Sequence, residues 1–258
     1  MVDAAVRLLS LLNQLDLATK RVIFEFEDSD SPVQGYLNRI GFFDRLATGV
    51  EVRPRRPTTS AAQRFRGRNA GVVEIERIDR AARDSEVLRR LSRAVRQACG
   101  RRTDIEELEG ATWTIFAELI DNVFAHSETP VDGFAALQVY ERGNCLKVVV
   151  SDSGLGIMKT LRPVLAVEHP KLAALSDDSL LVEVFRQGLS RHGADRGCGL
   201  KGCASKAIKF KADLDVRLPQ ARVLLVPGIA GYRANTAHCS DNLALLWGTH
   251  VCFTLRLD

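Results

Sequence analysis

The chain has 258 residues, 46% of them hydrophobic, and 36 Lys and Arg against 32 Asp and Glu give a formal charge of +4. That is enough apolar material for a principal domain with a small companion, and too little net charge to name a polyanionic partner. No eighteen apolar residues run together, which excludes a spanning helix, and the cysteines (Cys99, Cys145, Cys198, Cys203, Cys239, Cys252) lack the CxxC spacing of a zinc site or a secreted disulfide framework. The opening "MVDAAVRLLSLLNQLD" carries Asp3, Arg7 and Asn13 without a small-residue cleavage site, so it reads as an amphipathic helix, and the expectation is a cytoplasmic protein with reduced thiols and no membrane segment.

In chain order, residues 3–16 are predicted helical and "RVIFEFE" (21–27) is predicted as a strand. "SPVQGYLNRIGFFDRL" (31–46) is predicted as a helix opened by Ser31 and Pro32, with a further strand at 49–53. Residues 1–52 thus make a small α/β unit. "RPRRPTTSAAQRFRGR" (53–68), with two prolines and six arginines, reads as a linker, and residues 69–258 as the principal domain. There, 71–78 is a predicted strand, 84–99 a helix and 103–126 a longer helix. Strands at 133–142 and 145–152 flank Gly143 and Asn144, a turn pair suited to a hairpin. A loop-rich stretch with a helix near 178–189 follows, then a glycine turn at 197–202, a helix to about residue 211, and strands to the end. This alternation predicts two layers, a sheet backed by helices.

Four short patterns carry chemistry. In "ELIDNVFAH" (118–126), Glu118 and Asn122 lie one turn apart, projecting together, with Phe116, Leu119, Ile120 and Val123 on the opposite, core-facing arc. In "SDSGLGI", Asp152 ends a strand and is followed by Gly154 and Gly156; an ionised carboxylate accepts hydrogen bonds without donating, which suits an exocyclic amino group such as that of adenine. "RGCGLKGCASKA" puts Gly197 and Gly199 before a helix beginning near Leu200, with Lys201 and Lys206 nearby, the makings of an anion site. "WGTHVCFTL" places Gly248 and Thr249 at the start of the last strand. Each pattern alone has a bland reading as a solvated face or an ordinary turn; their fixed order is the signal.

In that order and combination the sequence resembles the GHKL ATPases, the superfamily of DNA gyrase B, heat-shock chaperones, MutL proteins, histidine kinases and anti-sigma-factor serine kinases. The resemblance covers about residues 69–258 and implies a Bergerat fold, a mixed sheet backed by one layer of helices with ATP beneath a mobile lid. It implies that Asn122 ligates Mg²⁺ and Glu118 is the catalytic base, that Asp152 and Thr249 contact adenine over the turn at Gly154 and Gly156, and that Gly197, Gly199, Leu200 and Lys201 bind phosphate. One amide oxygen plus phosphate oxygens and water is a reasonable Mg²⁺ shell, and a carboxylate one turn away can orient or deprotonate water.

Residues 157–196 should then be the lid, with Arg191, His192 and Arg196 able to reach a γ-phosphate. No phospho-accepting histidine motif is present, which disfavours a sensor kinase. The N-terminal unit is similar to the end of a STAS-like domain, and a dimerisation or docking module is the alternative. The leading expectation is a Mg²⁺-dependent ATP-binding protein hydrolysing slowly as a conformational switch. The alternatives are an anti-sigma-type serine/threonine kinase acting on a STAS-like partner, and a nucleotide-sensing interaction module, with nucleic-acid contact through Arg53, Arg55, Arg56, Arg64, Arg66 and Arg68.

Overall fold

Strands that read as unbroken apolar runs, such as "VVV" at 148–150, are stable only when both faces of their sheet are covered. The computed structural model describes residues 1–28, 31–68, 71–78, 85–126, 129–189 and 198–258, apart from the side chains of residues 85, 124–126 and 198–200. The elements run α1 (Val2–Leu17), β1 (Ile23–Glu25), α2 (Pro32–Arg39), α3 (Phe42–Arg45), β2 (Glu51–Arg53), α4 (Ala61–Phe65), β3 (Val72–Ile78), α5 (Ser85–Ala98) and α6 (Ile105–His126). They continue with β4 (Gly133–Tyr140), β5 (Cys145–Ser151), α7 (Ile157–Glu168), α8 (Pro170–Ala173) and α9 (Asp177–Glu183), the last running into a π-helical turn at Val184–Gly188. The chain closes with α10 (Cys198–Lys209), β6 (Asp213–Arg217), β7 (Arg222–Gly228), β8 (Gly231–Ala234) and β9 (His250–Arg256).

Among the described residues, seven strands form one sheet in the order β3-β4-β5-β9-β6-β7-β8, and β1 pairs with β2 in a separate parallel pair. Every neighbour pair in the large sheet is antiparallel, so the expected mixed sheet is not what forms. The hairpin β4–β5 turns through Asn144 in the left-handed region, as the Gly143–Asn144 pair predicts.

Alternation along each strand separates two cores. Ala135, Leu137, Leu146, Val148, Val150, Val251, Phe253 and Leu255 point to the face covered by α5, α6, α7, α9 and α10. Phe134, Ala136, Val149 and Cys252 point to the other face, where α1, α2 and α3 supply Val6, Leu9, Leu37 and Phe42. The two-layer expectation is therefore corrected: the N-terminal unit lays a further helical layer on the back of the sheet. Burying about 25 cal/mol per Å² of apolar surface on both faces is what makes the continuous apolar strands favourable.

Other expectations change locally. The helix expected over 31–46 divides at Gly41, whose φ of 82° ends α2. The helix expected near 178–189 is α9 with its π-helical turn, and the loop-rich stretch expected before it folds as α7 and α8. Burial of Met158, Leu161 and Leu165 holds α7 through its internal Pro163, and Arg162 ties the three helices together by donating to the Leu175 carbonyl at 2.9 Å and to Asp177 Oδ1 at 2.6 Å. The arginine-rich segment 53–68 is held to its surroundings. Arg53 pairs with Glu51, Arg56 donates to the Ala47 carbonyl, and Arg66 pairs with Glu76 of β3. The free cysteines described are Cys99, Cys145, Cys203, Cys239 and Cys252. Among the described residues no helix is long and apolar enough to cross a membrane.

Candidate functional site

β5 and β9 are neighbours near the middle of the sheet, with Ser151 opposite His250. The next residue beyond each strand end is therefore Asp152 on one side and Thr249 on the other. They emerge side by side, and the Asp152 amide donates to the Thr249 carbonyl at 3.0 Å. Asp152 is 5% exposed and its Oδ1 accepts the Gly154 amide at 2.9 Å, closing the turn that leaves the sheet. The chain then starts α7 at Ile157, whose amide donates to Thr249 Oγ1 at 2.9 Å. That hydroxyl keeps its own proton for a further acceptor.

The glycines of the two patterns are needed because these backbones cross closely. Gly156 has φ 80°, and a Cβ on it would stand 3.0 Å from the Gly248 carbonyl oxygen. Gly248 has φ 94°, a conformation open to glycine and strained for other residues.

Asn122, on α6, meets this crossing from the helical layer. Asn122, Asp152 and Thr249 line one cavity together with Leu119, Val123, Val150, Ile157, Leu181, Phe185, Val216 and Val251. Its walls are apolar and its polar atoms few, so it presents a carboxylate, a hydroxyl and an amide to the edge of a flat apolar ligand. The volume is about 50 Å³, against the roughly 300–1,000 Å³ of a typical small-molecule pocket. Leu181 and Phe185, from α9 and its π-helical turn, make one wall.

Neither Leu181 nor Phe185 stood out in the sequence, where 157–196 carries loop signals; the apolar spacing Leu180, Leu181, Val184, Phe185 was the clue available. The α6 face also differs from the simple two-arc picture. Leu119 and Val123, expected opposite the polar pair, share the cavity with Asn122, which lies at the border between the apolar stripe and the polar side.

Glu118 does not line the cavity. It is half-buried one turn before Asn122, and its carboxyl is held above the ordinary value first by burial and then by the neighbouring Asp121 charge. Across from it on α10, the buried Cys203 thiol is pushed up to about 12, by burial and then by Glu118. A carboxyl with raised proton affinity beside a cavity is suited to accept a proton.

No family model and no curated protein matches the chain.

α10 begins at Cys198, so Gly199 and Leu200 lie in its first turn and not before it, and Lys201 is exposed on the same helix. Gly197, Arg191, His192 and Arg196 lie outside the described residues, as do the side chains of Cys198, Leu200 and His126. The structure thus brings together Asn122, Asp152 and Thr249, sets Gly154 and Gly156 in the turn beneath them, and holds Glu118 one helical turn away.

Behind the site, a buried polar group went unread in the sequence. His250 is fully buried and pushed down to about 3, first by burial and then by the charges of Arg7 and Arg217. It is neutral at physiological pH. Its Nε2 lies 3.0 Å from the Trp247 carbonyl and its Nδ1 bonds the Ser151 hydroxyl. A single buried histidine at a strand start gives no sequence signal beyond its composition.

Proposed function

We propose that the chain is a Mg²⁺-dependent ATP-binding protein that hydrolyses slowly and uses the nucleotide as a conformational switch. The observation that carries this reading is that Asn122, Asp152 and Thr249, far apart in sequence and each marked by its own pattern, line one cavity. Val150, Val216, Val251 and Leu119 offer apolar surface to the faces of a purine, with Asp152 at the edge to accept from its amino group. The close backbone crossing at Gly156 and Gly248 lets the segments that carry Asp152 and Thr249 lie against one another.

At its present volume the cavity does not admit a purine, so binding requires Leu181 and Phe185 to turn outward; both belong to the segment between Asp152 and α10 that would cover the nucleotide. Mg²⁺ would be held by the Asn122 oxygen along with phosphate oxygens and water, and would neutralise charge on the phosphates. Glu118, one helical turn from Asn122 and with elevated proton affinity, would orient a water and take its proton once the cavity opens.

The test is phosphate release from wild type and Glu118→Gln at saturating Mg-ATP, with nucleotide binding measured on both. The reading predicts equal binding and a rate in Glu118→Gln reduced about 100-fold or more. Equal turnover in both proteins, above the uncatalysed rate, would remove Glu118 from the chemistry.

A further inference from the structure

Along α1 the residues Asp3, Arg7, Ser10 and Gln14 recur at spacings of four, three and four, which puts them on one side of the helix, flanking the apolar stripe of Val2, Val6 and Leu9. A polar stripe on a buried helical side is unfavourable unless every member finds a partner. Lys147 Nζ of β5 stands 3.5 Å from Asp3 Oδ1. Arg7 donates to Asp215 Oδ1 of β6 at 3.0 Å. Ser10 Oγ is 3.1 Å from Ser151 Oγ. Gln14, 3% exposed, uses its whole amide on one residue: Nε2 donates to the Trp247 carbonyl at 3.0 Å and Oε1 accepts the Trp247 amide at 2.8 Å.

The donor and acceptor inventory fixes the direction of these bonds. The Trp247 carbonyl can only accept, so His250 Nε2 carries the proton and Nδ1 accepts. Ser151 therefore donates to His250, and Ser10 donates to Ser151. The last two turns of α1 thereby grip the residue before Asp152 on one strand and the residues on both sides of the Gly248–Thr249 pair on the other. Asp3 reaches β5 only at Lys147, four residues before Ser151, whereas Arg7 holds Asp215, next to the cavity residue Val216.

We infer that Gln14 and Ser10 are positioning residues for the nucleotide site: acting through Trp247, Ser151 and His250, α1 sets the place of Thr249 relative to Asp152, so displacement of α1 weakens binding and relaxes the choice of base. This rests on the proposed nucleotide reading. It makes the N-terminal unit a control element for the site and not only a cover for the sheet, since a shift of α1 would pass to Trp247 through two direct hydrogen bonds and from there along two residues of chain to Thr249.

The test measures Mg-ATP and Mg-GTP affinities by equilibrium dialysis for wild type, Gln14→Ala, Ser10→Ala and Asp3→Asn, all full length, with melting temperatures alongside. Base preference is the informative readout, because loss of stability alone lowers both affinities together. Gln14→Ala is expected to bind ATP about tenfold more weakly while the ATP-to-GTP preference narrows. Ser10→Ala should move in the same direction, and Asp3→Asn should keep the wild-type preference whatever its melting temperature. If Gln14→Ala fails to fold, Ser10→Ala decides. Wild-type binding with an unchanged preference in the Gln14 and Ser10 variants overturns the coupling and leaves the nucleotide reading standing. Absence of binding by wild type overturns both.

Discussion

Gly248 lies so close to Asp152 that a Cβ on it would fall 1.9 Å from the Asp152 carbonyl oxygen. No rotamer relieves that contact, because both partners are backbone and the two segments are locked by the β5–β9 ladder. Gly248→Ala must therefore separate the strand ends or break their register. It is expected to destabilise by about 3 kcal/mol, combining strain at positive φ with overpacking. Gly110→Ala is the control: it lies on helix α6 with nothing within 4 Å of the added Cβ, and should stabilise by about 0.5–1 kcal/mol. Denaturant midpoints that fail to separate the two variants would contradict the geometry.

Phe185 is both a core residue, edge-on to Tyr232 at 6.1 Å, and a wall of the cavity. Phe185→Ala should cost about 3–5 kcal/mol of stability and leave a void continuous with the cavity. If Phe185 must swing out before nucleotide enters, the variant should also associate with Mg-ATP faster than wild type in stopped-flow measurements. An unchanged association rate would show that Phe185 is not the barrier.

His250 makes stability depend on pH with a definite sign. Its folded value, about 3, lies below the ordinary 6.5, so the unfolded chain binds more protons between those values. Stability from this group is full above 6.5 and is lost as pH falls towards 3, with a slope of about 1.4 kcal/mol per pH unit inside the window. Glu118 runs the other way, since its raised proton affinity makes the folded state less stable as pH rises through its folded value. Urea denaturation of wild type and His250→Asn from pH 7 to 5 checks the assignment: the slope should be present in wild type and missing in the variant.

Arg90 bridges two buried carboxylates, donating to Glu74 at 2.7 Å and to Glu76 of the same strand. Arg39, Arg45 and Arg66 complete the cluster, which staples α2, α3 and the arginine-rich segment to β3. Glu76 is shared by Arg45, Arg66 and Arg90, so removing its charge leaves theirs uncompensated, and Glu76→Gln is expected to destabilise by about 3 kcal/mol. Limited proteolysis should then cut within 53–68 more readily than in wild type. Resistance equal to wild type would mean the cluster does not hold the segment.

The sequence disclosed the α/β class, most strands and the long helix of the principal domain, because those elements have strong periodicity or are bounded by glycine and asparagine turns. Asp152 and Thr249 were legible as motif residues, and their proximity only through the family resemblance, since periodicity does not show that β5 pairs with β9 across a hundred residues. Helix α7 was hidden by Pro163, a breaker signal outweighed by three buried apolar side chains. The second helical layer was hidden for a different reason. α1 presents an apolar stripe that would suit docking anywhere, and its polar residues, Arg7 against Asp215, Ser10 against Ser151 and Gln14 against Trp247, specify where it docks. Within 53–68 the contacts of Arg56 with the Ala47 carbonyl and of Arg66 with Glu76 were not legible, because those partners lie outside the segment.

The central claim is that a purine triphosphate sits with its base against Asp152 and its metal at Asn122. Isothermal titration of the full chain with Mg-ATP, alongside Asp152→Asn and Asn122→Ala, tests it most directly. The account predicts saturable 1:1 binding by wild type, weakened at least tenfold in Asp152→Asn through loss of the charged acceptor, and loss of the Mg²⁺ dependence in Asn122→Ala. Folded wild-type protein that gives no binding heat with ATP at several temperatures, with or without Mg²⁺, would contradict it.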